Sequence, residues 1–109
     1  MCQKLHGGFG PHTKAPKDSI RITRDEGLEW YRSSDIARRG FCRLCGSSLF
    51  WDPFKQEGTG ILAGSLDDTS GLETIGHIFV AEKAQFYDIT DEIPQFPGSS
   101  MGQLDGDYR

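Results

Sequence analysis

Apolar and polar residues alternate along this chain in short runs separated by turn formers, a pattern that predicts strands rather than long helices. Ile20-Arg21-Ile22-Thr23 alternates, Asp25-Glu26-Gly27 turns, and Leu28-Glu29-Trp30-Tyr31-Arg32 alternates again. These two runs predict a hairpin. Beyond the Ser33-Ser34-Asp35 turn or N-cap cluster, residues 36–41 predict a strand, and Leu49-Phe50-Trp51, ended by Asp52-Pro53, predicts the strand that pairs with it. Gly60-Ile61-Leu62-Ala63-Gly64-Ser65-Leu66 predicts another, with small residues that let a neighbour approach closely. His77-Ile78-Phe79-Val80 reads as a buried strand, and residues 84–89 hold a short aromatic segment. Trp30, Phe50, Trp51, Phe79, Phe86 and Tyr87 are the expected core and pocket walls.

The two ends read differently. Residues 2–10, Cys2-Gln3-Lys4-Leu5-His6-Gly7-Gly8-Phe9-Gly10, look like the end of a helix capped by glycines. Pro11 and Pro16 then limit regular structure up to Asp18-Ser19. From Pro94 onward the chain reads as a frayed tail, so the expected organisation is a single domain over residues 1–97 and a polar tail over 98–109. The 14 glycines are scattered rather than periodic, which makes them punctuation between strands and not a repeat. One mainly β domain is the expectation.

Charge and length narrow the partners. At 109 residues a metal staple would help a modest core, and a net charge of −4 argues against general nucleic-acid binding, which rests on Lys and Arg. The sequence holds no apolar run near bilayer length and no apolar signal-peptide core, so no membrane partner and a cytoplasmic location are expected. Three cysteines, an odd number, fit a reducing compartment better than a secreted disulfide framework.

Those cysteines carry the candidate chemistry. Phe41-Cys42-Arg43-Leu44-Cys45-Gly46 spaces two thiols three apart with glycine after the second, as in a metal knuckle whose tight turn aims both sulfurs at one centre. The expected strands on either side place this knuckle at a hairpin tip. It supplies half of a tetrahedral zinc site; Cys2 is the one further cysteine. A thioredoxin-like redox pair and two thiols packed as small hydrophobes are the alternatives, and the flanks lack the helix that a redox pair normally opens. His6 lies four residues from Cys2, which puts both on one helix face, so it is a candidate ligand or a solvated histidine. His77 is a rim histidine or a pocket acid/base, and His12 carries no signal. Arg32, Arg38, Arg39 and Arg43 could receive the carboxylates of a small anion or form a solvated strand face. Asp67 and Asp68 read as turn formers.

Taken together, Trp30-Tyr31-Arg32-Ser33-Ser34, Gly40-Phe41-Cys42 with Cys45-Gly46-Ser47, Ala63-Gly64-Ser65-Leu66-Asp67, His77-Ile78-Phe79-Val80 and Pro94-Gln95-Phe96 resemble the glutathione-dependent formaldehyde-activating enzyme family, which includes centromere-protein-V-like proteins. The resemblance covers about residues 7–96. It implies a Mss4-like fold of antiparallel strands with two zinc centres. A structural zinc is held in the family by an early Cys-x-Cys and a later Cys-x-x-Cys, the latter falling on Cys42 and Cys45. A catalytic zinc is held by Cys-x-Cys-x-x-Cys, of which the last cysteine falls on Cys2 and the others have no counterpart. The resemblance thus implies metal ligands Cys2, Cys42 and Cys45, zinc as cofactor, no identified catalytic residue and an N-terminal part of the family domain missing from this sequence. The implied function is a carbon–sulfur lyase or synthase acting on small glutathione–aldehyde adducts. A non-catalytic metal-binding remnant is the alternative, with a second copy of the chain in a homo-oligomer as a source of missing ligands.

Overall fold

A computed structural model describes residues 2–104. By their internal contacts the described residues divide into two compact units, one of residues 11–69 and the other built from residues 2–10 and 70–104. Each has its own logic.

The first unit is a five-stranded antiparallel sheet: β1 (His12–Pro16), β2 (Leu28–Arg32), β3 (Ala37–Cys42), β4 (Ser48–Pro53) and β5 (Gly58–Leu62), in the order β1-β5-β4-β3-β2. β2 to β5 form a meander of neighbours, and β1 returns to the far edge beside β5, pairing His12 with Leu62 and Pro16 with Gly58. β2 to β4 lie where the alternation predicts them. β5 starts two residues earlier than expected and stops at Leu62, because Ala63–Ser65 turn into a 3-10 helix stabilised by the Ser65 hydroxyl donating to the Leu62 carbonyl.

Two expectations fail here. Residues 12–16, read as irregular, form β1: Pro16 ends an edge strand, where a missing N–H costs no ladder bond. Residues 20–23, read as the hairpin partner of β2, are not a strand; β2 pairs with β3 alone. An alternation with two apolar side chains is equally satisfied by an irregular segment laid across a sheet face, and that is what Ile20 and Ile22 do.

Because paired residues share a face and successive ones alternate, Trp30, Arg38, Gly40, Phe50, Asp52 and Thr59 all project from one side of this sheet. Trp30 and Phe50 stack there, 5.9 Å between ring centroids at 24°. The stack lies over Gly40, where a Cβ would come within 2.9 Å of the Trp30 ring and 3.0 Å of the Phe50 ring. Close approach explains this glycine. Ala37, Pro53 and Leu62 are buried, as are Asp52 and Thr59.

The second unit opens with α1 (Cys2–His6), ended by Gly7 in the left-handed region at φ 79°, as the glycine-capped pattern predicts. Its remaining backbone is mostly irregular. Residues 77–80 are not a buried strand: His77 makes an isolated parallel bridge with Gln95, Phe79 is left-handed at φ 55°, and Val80–Glu82 form a 3-10 helix. A left-handed Phe79 turns the chain out of any ladder, and Ile78, Phe79 and Phe86 stand exposed rather than in a core. Nor do residues 94–100 fray. His77 donates to the Pro94 carbonyl and Phe96 donates to the His77 carbonyl, Phe79 donates to the Gly98 carbonyl, and Ser100 is buried. Residues 105–109 of the expected polar tail lie outside the described residues. Among the described residues no helix is long and apolar enough to cross a membrane.

Candidate functional site

Cys42 ends β3 and Ser48 starts β4, so the Cys-x-x-Cys segment is the connection of a hairpin. Three backbone bonds shape the turn. Cys42 donates to the Ser47 carbonyl (2.9 Å), Gly46 donates back to the Cys42 carbonyl (2.6 Å), and Arg43 donates to the Gly27 carbonyl (2.8 Å). The Arg43 side chain also donates from Nε to the Glu26 carbonyl at 2.7 Å, tying the turn to the loop before β2. Gly46 sits at φ 82°, where a side chain would be strained. A register shift at Gly40–Phe41 marks a bulge just before the turn, the kind of irregularity that re-aims side chains.

Both thiols emerge at this tip. Cys45 is exposed and its Sγ lies 3.1 Å from the Ser47 hydroxyl. Hydrogen bonds from the Ser47 side chain and backbone, and then from Cys42, hold the Cys45 thiol below its ordinary pKa. Stabilised thiolate character is what a soft metal donor or a nucleophile requires. No disulfide joins any of the three cysteines. Cys2 lies in α1, half-buried, in the other unit.

A tetrahedral zinc site needs four donors. Among the described residues no group of three or more His, Cys, Asp or Glu side chains could hold a metal ion. The hairpin tip therefore offers two donors of four, and no chemical step can be derived through a metal from the residues in view.

The other candidates divide. His77 Nε2 lies 3.0 and 3.1 Å from the two carboxylate oxygens of Asp91, and this contact, ahead of smaller effects, keeps the Asp91 carboxyl below its usual range. It is a histidine–carboxylate pair at the rim of the second unit, with His77 three-quarters covered. The arginines do not converge on one anion. Arg32 lies over the Phe54 ring at 5.1 Å and donates to the Ser34 carbonyl, Arg43 serves the turn, and Arg38 turns inward.

Arg38 leads to a cluster that pattern reading missed. Its Nε donates to Asp52 Oδ2 at 2.8 Å while its guanidinium rests 3.7 Å from the centroid of Trp30. Thr59 donates its hydroxyl to Asp52 Oδ1 at 2.8 Å, and Lys17 reaches the same oxygen at 3.4 Å and the Pro53 carbonyl as well. Burial pushes the Asp52 pKa up, but Arg38, Thr59 and Lys17 together outweigh it and the net shift is downward. A cleft of about 210 Å³ opens over this cluster, walled by Ile20, Ile22, Trp30 and Phe50. In the sequence Asp52 reads as a strand terminator before proline; only the Arg38–Asp52 register pair reveals its role.

The sequence matches the family described as glutathione-dependent formaldehyde-activating enzyme over residues 1–82. No match is found among curated proteins.

Proposed function

Because the chain belongs to the glutathione-dependent formaldehyde-activating enzyme family, we propose that it acts on glutathione–aldehyde adducts as a carbon–sulfur lyase or synthase. The family match across three-quarters of the chain is the observation that carries this reading. In the joining direction the glutathione thiol loses its proton as its sulfur adds to the formaldehyde carbon, the C–S bond forms, the carbonyl π pair moves to oxygen, and that oxygen takes up a proton in its place. The lyase direction reverses each transfer. Zinc, when bound, would lower a thiol pKa or hold the adduct oxygen. Cys42 and Cys45 are the residues we assign to its ligation within a Mss4-like fold, with Cys2 as a ligand of a second centre. The antiparallel sheet and the hairpin-tip turn support that assignment.

The same reading carries a cytoplasmic protein that binds a small thiol adduct, neither nucleic acid nor membrane, with residues 1–97 as the functional domain. A second copy of the chain is the source we propose for the ligands that complete the site beside Cys42 and Cys45. The two-donor tip favours one competing reading, a non-catalytic metal-binding protein.

Elemental analysis separates the two. The expected result is at least one zinc per chain, together with glutathione-dependent consumption of formaldehyde followed by NMR. Zinc without consumption supports the non-catalytic reading, and absence of both overturns the proposal. With metal bound, Cys42→Ser or Cys45→Ser should lower zinc content and the thermal midpoint together, because ligation energy is then folding energy. Equal midpoints for variant and parent would remove Cys42 and Cys45 from the ligand set.

A further inference from the structure

The cleft over Asp52 is larger than an ion-pair clasp requires, and its walls are apolar. Among the residues lining it, Lys17, Arg38 and Asp52 carry charge. Two cations face one carboxylate, so the floor keeps one net positive charge. Asp52 is buried and fully engaged, with Arg38 and Thr59 on separate oxygens and Lys17 alongside. The side chains of the two cations line the cleft and keep contact with solvent, at 40% exposure for Arg38 and 35% for Lys17.

Above that floor the walls stay open. Ile22 is 46% exposed although it lines an apolar surface, and segment 20–23 crosses the sheet face without joining it. Trp30 carries Arg38 over its ring and stacks on Phe50, and all three line the cleft. A cationic floor beside a flat apolar wall is complementary to a planar organic anion.

The geometry points to a binding site in the first unit for a small organic carboxylate with a flat apolar body, its carboxylate directed to Lys17 and Arg38. An apolar cavity of roughly 150 Å³ holds benzene; at about 210 Å³ this cleft accommodates on the order of ten non-hydrogen atoms. Glutathione as a whole is larger than that. The site needs no metal and does not depend on the reading of Cys42 and Cys45, so the two stand or fall separately.

Benzoate is the probe, and benzamide, of the same shape without the charge, is its control. Titration of the full chain followed by amide shifts in ¹H–¹⁵N spectra should show saturable benzoate binding with Kd on the order of 1 mM, as expected for so small a ligand. The shifts should centre on residues 17, 20, 22, 30, 38, 52 and 59, and benzamide should bind at least fivefold more weakly. Lys17→Gln should weaken benzoate at least fivefold. Should that variant fold poorly, Ile22→Asp, at an exposed wall position, should weaken benzoate to the same degree by placing a negative charge at the rim. No saturable shift up to roughly twenty times that concentration, equal binding of benzamide, or shifts centred elsewhere would overturn the proposal.

Discussion

Asp52→Asn should destabilise the protein by about 2 kcal/mol, read as a fall in thermal midpoint of roughly 10 °C. The substitution keeps volume and leaves Thr59 a partner, but it strips the countercharge from Arg38 and Lys17. Breaking a fully buried pair costs roughly 3–5 kcal/mol. Partial exposure of both cations lets water recover part of the loss, which sets the lower figure. The acid limb gives a second readout. Asp52 titrates below its unfolded value, so its contribution is complete above the unfolded carboxyl pKa of about 3.9 and disappears as pH falls through the lower folded value. Stability of the variant should therefore vary less with pH across that window than stability of the parent. Asp67→Asn, at an exposed turn, serves as the control and should shift stability by no more than about 0.5 kcal/mol. Equal effects of the two substitutions would show that the cluster is not a stabilising unit.

The second large effect is expected at Gly40, where Gly40→Ala should cost about 1–2 kcal/mol. A methyl group 2.9 Å from Trp30 and 3.0 Å from Phe50 forces the stack to slide, and overpacking of this kind costs roughly 1–3 kcal/mol. The lower conformational freedom of alanine in the unfolded chain offsets part of that. Guanidinium unfolding would measure the loss, and the near-UV circular dichroism of the tryptophans should change with it, since Trp30 also carries Arg38. A Gly40→Ala protein with the parent's midpoint and spectrum would mean that the rings are not held against this backbone.

Which parts of this molecule were legible in its sequence follows from how each is held together. β2 is legible because a half-covered strand alternates Leu28 and Trp30 with the exposed Glu29 and Tyr31, and β4 because the apolar run Leu49-Phe50-Trp51 is closed by Asp52-Pro53. The glycine-ended helix at residues 2–7 is legible because its signal is local. β1 is not, since its pattern His-Thr-Lys-Ala-Pro has hardly any apolar contrast and its stability comes from β5, far along the chain. The left-handed turn at Phe79 has no local signal, because a bulky residue there is a rare choice imposed by the surrounding fold. At the candidate site the Cys42–Cys45 spacing is visible at once, whereas the Lys17–Asp52–Arg38–Thr59 cluster draws on four separate segments that only the sheet register brings together.

The sheet order also carries a temporal meaning. Hairpins from β2 to β5 join neighbours, with Phe41 meeting Ser48 across a gap of seven residues, whereas His12 meets Leu62 across fifty. By loop-closure entropy that longer span costs roughly 2 kcal/mol more to close. The meander is thus the self-assembling part of the sheet, and β1 is its latecomer and the first strand to leave. In native-state hydrogen exchange, β1 amides that bond to β5 should open at lower free energy than those between β3 and β4. Equal protection of the two ladders would mean that the sheet forms and opens as a single cooperative unit.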